Sequence, residues 1–76
     1  MTVRARLVDC FSAVFPTLAN SKIPEASVAT LEGWDSLATV RLAATLEEEF
    51  GVEFDPEDLE QLDSFTRIES LLRSKL

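Results

Sequence analysis

The stretch that decides the fold is GWDSLATVRLAATLEEEF, residues 33–50. Asp35 is a good helix N-cap, because its carboxylate can accept hydrogen bonds from the free N–H groups of a first helical turn. Ser36 then takes the first helical position, with its hydroxyl pointing outward in the positive field of the helix N-terminus. A phosphate ester on that hydroxyl would lie where backbone donors favour an anion, although capping alone also explains a serine at this place.

Apolar residues recur through this stretch at helical spacing and predict a helix from about Ser36 to Phe50, ended by Gly51. At about 100° per residue, one face is predicted to meet the core and the opposite face to be exposed. The predicted core face consists of Thr39, Leu42, Ala43, Leu46 and Phe50. The predicted exposed face consists of Leu37, Arg41, Ala44 and Glu48, with Val40 and Glu47 on its flank.

A first helix is predicted from Thr2 to Phe15, with Thr2 as its N-cap. Its apolar stripe consists of Val3, Leu7, Cys10, Phe11 and Val14. Pro16 ends this helix, and no sustained period follows before Trp34, which predicts a long first loop. We expect Trp34 to pack the end of this loop, and any short helical turn to lie within residues 25–31. The expected apolar anchors of the loop are Leu18, Ile23, Val28 and Leu31.

Two more helices are predicted after Gly51. Asp55-Pro56-Glu57-Asp58 is a strong helix start, and the helix it begins is short, from Pro56 to about Gln61. Asp63 or Ser64 is expected to cap the last helix, which runs roughly from residue 65 to residue 75. The predicted apolar stripe of that helix consists of Phe65, Ile68, Leu72 and Leu76, with Leu71 adjacent.

The charge of the chain is unevenly distributed. The net charge of the 76 residues is −7, which disfavours nucleic-acid binding because a phosphate backbone requires Lys and Arg. Between Glu32 and Asp63 stand eleven of the fourteen carboxylates and one basic residue, Arg41. Such a field steers basic partners towards the protein, or it serves only as a solvated face.

Cysteine and histidine usage limits the chemistry of the chain. One cysteine and no histidine allow no disulfide within the chain and no Cys/His zinc site, and they predict a reducing, cytoplasmic compartment. No apolar run is long enough to suggest a membrane span. The acidic stretch from Glu53 to Asp63 lacks the glycine of a calcium-binding loop, and we predict no metal site there.

The run from Asp35 to Phe50 resembles the acyl carrier protein family very closely, and the resemblance extends over nearly the whole chain. In that family the serine of Asp-Ser-Leu carries a 4′-phosphopantetheine arm. The resemblance implies an all-α, acyl-carrier-protein-like four-helix bundle with three longer helices, one short helix and a long first loop. It also implies a single carrier domain, residues 1–76, that is not an enzyme. The cofactor-binding residues that it implies are Ser36, which bears the arm, and its neighbours Asp35 and Leu37.

The partners implied by the resemblance are enzymes. A phosphopantetheinyl transferase would modify Ser36 from coenzyme A, and acyl-loading and acyl-processing enzymes of fatty-acid, polyketide or related specialised biosynthesis would use the arm. The chain is expected to act as a monomer. The implied docking residues lie on the second helix: Leu37, Val40, Arg41, Ala44, Glu47 and Glu48.

Two residues depart from the pattern of that family. Carriers of fatty-acid synthesis often have acidic residues where this chain has Ala38 and Arg41, both of which we assign to the exposed face. Arg41 places a positive charge where basic partner enzymes would approach, which favours a dedicated pathway over the general fatty-acid synthase.

Two alternatives to an acyl carrier stay open at this point. The first is an aminoacyl or peptidyl carrier, although Gly33-Trp34-Asp35 replaces the Gly-Gly-x that commonly precedes the serine of peptidyl carriers. The second, of a different class, is an acidic helical interaction module that is never modified.

Overall fold

The computed structural model describes residues 2–76, and within that range all regular structure is helical. The elements are α1 (Val3–Val14), a 3-10 helix (Asn20–Glu25), α2 (Ser36–Phe50), α3 (Pro56–Leu59) and α4 (Phe65–Lys75). The predicted helical bundle, with three long helices, one short helix and a long first loop, is confirmed. No helix in this range is both long and apolar enough to cross a bilayer.

The ends of the long helices are set by the residues that the sequence predicts. The Thr2 hydroxyl accepts a hydrogen bond from Ala5 N at 3.1 Å, and the Ser64 hydroxyl accepts one from Arg67 N at 3.1 Å. Gly51 ends α2 with a φ of 67°, a left-handed conformation that glycine adopts without the Cβ clash of other residues. Local capping therefore decides where these helices begin and end.

One hydrophobic core joins the three long helices. Phe11 of α1 lies at its aromatic centre, with its ring 5.4 Å from that of Trp34 and 5.3 Å from that of Phe65. The side chains with no exposed surface are contributed by every long helix and by the loop: Leu7, Phe11, Ile23, Leu42, Leu46, Phe65, Ile68 and Leu72. Burial of this apolar surface is the main force that holds the helices together.

The long first loop is ordered by one buried anchor and by backbone hydrogen bonds to the start of α4. Ile23 is fully buried at the 3-10 helix, which lies at residues 20–25 and not within residues 25–31 as predicted. Residues 28–30 instead form a turn. Val28 N donates to Asp63 O at 2.9 Å, and Phe65 N donates to Ala26 O at 3.0 Å. The position of the loop thus depends on contacts distant in sequence.

Three predictions of exposure or burial are wrong: the sequence pattern predicts that Ala38 is exposed and that Val28 and Leu76 pack against the core. Ala38 is buried, with 8% of its surface exposed, because it precedes Leu42 by one helical turn and shares that residue's side of α2. Val28 is 46% exposed, because the turn at residues 28–30 directs it away from the core. Leu76 is 59% exposed, because it follows the last residue of α4.

The short helix α3 is held by polar contacts more than by burial. It ends at Leu59, two residues before the predicted end, and none of its residues is fully buried. Asp55 N donates to Asp58 Oδ2 at 3.0 Å, and Lys75 Nζ lies 2.9 Å from the same oxygen. The hydrogen bond that Lys75 donates to the Asp58 carboxylate lowers the pKa of Asp58 and raises the pKa of Lys75.

The first prediction concerns the core face of α2. Leu46→Ala is expected to lower the free energy of unfolding by about 2–5 kcal/mol, because it removes a fully buried side chain and leaves a cavity. Leu37→Ala is the matched control, since Leu37 stands on the same helix with 68% exposure. The control is expected to change stability by less than about 0.5 kcal/mol. Urea unfolding of both variants is the measurement, and equal losses would contradict the assigned faces.

The second prediction concerns the contact between α4 and α3. Lys75→Met is expected to raise the pKa of Asp58 towards its ordinary value, because the largest stabilisation of its carboxylate is lost. In the wild type, the contribution of Asp58 to stability is present above the ordinary aspartate pKa and is lost as pH falls through the lower native pKa. In the variant this contribution is smaller, and what remains is lost at a higher pH, because the native pKa lies closer to the ordinary value. NMR titration of the Asp58 carboxyl carbon measures this shift. Arg73→Met is the control, because Arg73 pairs with Glu69 and should leave Asp58 unchanged.

Candidate functional site

Ser36 is the first residue of α2 and is exposed. Asp35 precedes it with extended backbone, and its Oδ1 accepts a hydrogen bond from Ala38 N at 2.9 Å. The Asp35 carboxylate therefore serves the helix start, as predicted, and leaves the neighbouring hydroxyl open to solvent. An anion attached to that hydroxyl would lie in the positive field at the N-terminus of a 15-residue helix.

The two residues before Ser36 are tied to the first turn of α2. Trp34 is 4% exposed, and its indole N–H donates to Thr39 Oγ1 at 3.0 Å. Thr39 Oγ1 in turn donates to Asp35 O at 3.1 Å, and Thr39 N donates to the same oxygen at 2.9 Å. The predicted packing of Trp34 at the loop end is confirmed. These hydrogen bonds fix the backbone that precedes Ser36 relative to the first turn of α2.

An open groove of about 480 Å³ begins at Ser36 and lies between the first loop, α2 and the segment around α3. Its apolar lining consists of Val28, Trp34, Val40, Leu59 and Leu62. Its polar lining consists of Asp35, Ser36, Thr39, Glu60 and Asp63. A flexible group attached to the Ser36 hydroxyl can therefore lie along an apolar surface whose rim carries three carboxylates.

The carboxylates of the rim differ in their pairing. Asp63 Oδ2 lies 2.6 Å from Arg67 Nη1, whereas Asp63 Oδ1 is buried without a hydrogen-bond partner among the described residues. Glu60 is exposed. No basic side chain lines the groove, so its rim keeps a negative potential even though Arg67 partly compensates Asp63.

The six predicted docking residues fall into two groups. Leu37 and Val40 are 68% and 56% exposed, and Arg41, Ala44 and Glu48 are exposed as well. Glu47 is half-buried, and its Oε2 accepts a hydrogen bond from Phe54 N at 2.8 Å. The Glu47 carboxylate thus holds the segment after α2, while the other five side chains share the open face of the helix.

Sequence reasoning missed five residues that the fold brings near Ser36. They are distant from Ser36 in sequence but line the same groove: Val28, Leu59, Glu60, Leu62 and Asp63. Their placement depends on the hydrogen bond from Val28 N to Asp63 O, which joins the first loop to the residue before the α4 cap. No local pattern in the sequence signals this pairing.

The only cysteine of the sequence, Cys10, is buried in the core. Cys10 is 4% exposed, and burial is the largest of the effects that raise the pKa of its thiol to about 11. Thiolate, the reactive form, is therefore scarce at neutral pH. In residues 2–76 no three Cys, Asp or Glu side chains come together in a way that could hold a metal ion.

A family model described as "Phosphopantetheine attachment site" matches residues 5–72. The matched span begins within α1 and ends within α4, so it covers most of the bundle. It also contains Ser36 and every residue that lines the groove.

The third prediction concerns the hydrogen bond between Trp34 and Thr39. Thr39→Val is expected to lower the free energy of unfolding by about 1–3 kcal/mol, because it leaves the buried indole N–H without an acceptor. Thr45→Val is the matched control, since the Thr45 hydroxyl bonds only to Arg41 O within the same helix. Urea unfolding followed by tryptophan fluorescence is the measurement. Equal stability of the two variants would show that this bond does not hold the loop.

Proposed function

The chain belongs to the phosphopantetheine-attachment family, and on that basis we propose that it is an acyl carrier protein that bears its arm on Ser36. Members of this family are carrier domains and not catalysts, and they hold 4′-phosphopantetheine covalently. The proposed domain spans residues 1–76 and acts as a monomer in the cytoplasm.

One observation supports Ser36 as the attachment residue more than any other. Its hydroxyl is exposed at the N-terminus of α2 and at the edge of an open, largely apolar groove. The helix end favours the phosphate of the arm, and the groove has room for the chain that follows the phosphate. The residues present therefore fit the prosthetic group.

The chain itself supplies position and not reactivity. A separate phosphopantetheinyl transferase, with coenzyme A and Mg²⁺, would esterify the Ser36 hydroxyl, so no base is required nearby. The bound arm supplies a thiol that carries acyl groups as thioesters. Asp35 and Thr39 keep the helix start in place during these transfers through their hydrogen bonds. The open face of α2 would meet each partner enzyme in a small, transient interface.

The Gly33-Trp34-Asp35 segment favours an acyl over a peptidyl cargo. Trp34 fills the core beside Phe11 and Phe15, which a glycine in its place could not do. A segment that carries Gly-Gly-x would therefore hold the loop differently. The two cargo classes can be separated by the rate at which the modified protein is loaded. Acyl-activating and aminoacyl-activating enzymes are compared at equal concentrations, and the enzyme that loads fastest would identify fatty, polyketide or aminoacyl use.

The fourth prediction tests the attachment itself. Incubation with coenzyme A, Mg²⁺ and a promiscuous phosphopantetheinyl transferase is expected to add the mass of one phosphopantetheine to the intact protein. Ser36→Ala is expected to abolish this gain, and Ser70→Ala, at another exposed helical serine, is expected to keep it. Mass spectrometry is the measurement.

An unmodified wild-type protein would leave an acidic interaction module as the better reading. A gain that persists in Ser36→Ala would instead place the arm on another residue.

A further inference from the structure

Large exposed apolar side chains are concentrated around Ser36. In residues 2–76 these are Val28, Leu37, Val40 and Leu76, with exposures of 46%, 68%, 56% and 59%. Val28 and Val40 line the groove together with Ser36, and Leu37 follows Ser36 in α2. The fourth, Leu76, follows the last residue of α4 and is not among the residues that line the groove. Apolar groups grouped in this way are typical of the centre of a protein–protein contact.

Val28 is held firmly although it belongs to a loop. Its N–H donates to Asp63 O at 2.9 Å, and the preceding residue, Ser27, forms an antiparallel bridge with Ser64. The turn after it is closed by hydrogen bonds from Thr30 N and Leu31 N to Ser27 O. Because this part of the loop is already ordered, it loses little conformational entropy when a partner contacts Val28.

Arg41 adds an uncommitted positive charge beside these apolar groups. It is exposed and forms no ion pair with any described residue. Four other basic residues each pair with a carboxylate, namely Arg6, Arg67, Arg73 and Lys75. Arg4 and Lys22 also have no ion pair within the described part of the chain, but they stand on α1 and on the 3-10 helix, outside α2. Its neighbours one turn away on α2 are uncharged, namely Leu37, Ala38, Ala44 and Thr45. Among residues 2–76, no carboxylate lies within ion-pair distance of Arg41.

We infer that Val28, Leu37, Val40 and Arg41 form one docking surface around Ser36, which fits an enzyme that presents apolar side chains and a carboxylate opposite Arg41. This inference rests on the proposed carrier function and names the kind of partner that the carrier meets. Arg41 lies about 100° around α2 from Val40, on the side away from the acidic rim of the groove. The surface thus has a positive and a negative side, and opposite charges on the partner would set its orientation.

A partner with a uniformly basic surface matches only half of this arrangement. It would be attracted by Glu60 on the rim of the groove and repelled by Arg41. A like charge at an interface disfavours the wrong partner and so contributes to specificity. Arg41 is accordingly the residue that separates partners of this protein from enzymes that bind uniformly acidic carriers.

The charge is tested with a basic probe enzyme. The probe is a fatty-acid-synthase ketosynthase whose carrier-binding surface is rich in lysine and arginine, and the assay is acyl transfer from the loaded carrier. Arg41→Glu is expected to raise kcat/KM about fivefold at low salt, and the gain should disappear at high salt. Lys22→Glu is the matched control, because it makes the same charge change at an exposed residue outside the docking surface. Equal rates for wild type and Arg41→Glu, or equal gains in both variants, would overturn the role of Arg41.

The loop half of the surface is tested in the Arg41→Glu background, where transfer is expected to be faster than in the wild type. Val28→Ser is expected to raise KM about threefold with kcat little changed, because an apolar contact is lost. Leu76→Ser, at the exposed apolar residue that does not line the groove, is expected to leave KM unchanged. Equal KM values in the two variants would remove Val28 from the docking surface.

Modification is measured separately for every variant. Each should accept one phosphopantetheine from the promiscuous transferase, so a failure of docking is distinguished from a failure of the carrier function itself. Urea midpoints equal to that of the Arg41→Glu parent would show that Val28→Ser acts on docking and not on the fold.

Discussion

The hydrogen bond from the buried indole of Trp34 to the hydroxyl of Thr39 is the contact on which the site depends. It joins the last residues of the long loop to the first turn of α2, and the same hydroxyl donates to the carbonyl of Asp35. Trp34 is also packed against Phe11, so the helix start is fastened to the centre of the core. Ser36 is consequently exposed on a rigid support, although it lies at the junction between a loop and a helix.

The first loop contributes as much to the site as the helices do. It has little regular structure, yet Ile23 anchors it in the core and the bridge between Ser27 and Ser64 joins it to the start of α4. Long loops without such contacts are usually mobile, because their entropy is not compensated. Here the contacts bring Val28 into the lining of the groove that Val40 and Ser36 also line.

Sequence reasoning predicted the features that depend on neighbouring residues. Asp35, Ser64 and Gly51 set helix ends through local capping, and α2 accordingly begins and ends where its pattern predicts. Ala38 shows the limit of a pattern, since alanine fits either a core or a surface and only packing decides its side. Val28 shows a second limit, because its exposure depends on the distant Asp63 carbonyl that holds its backbone.

A carrier needs a core without reactive groups and a surface that distinguishes its partner enzymes. Burial raises the pKa of the thiol of Cys10 to about 11, so this thiol does not compete with that of a prosthetic arm for acyl groups near neutral pH. Because carrier domains contribute no catalysis, their surfaces must decide which enzymes gain access to the cargo. A uniformly acidic surface would attract every basic enzyme through long-range steering. On the docking surface that we infer, Arg41 stands beside the exposed side chains of Leu37 and Val40. At short range, contact and desolvation at this surface would then favour partners that place a carboxylate opposite Arg41.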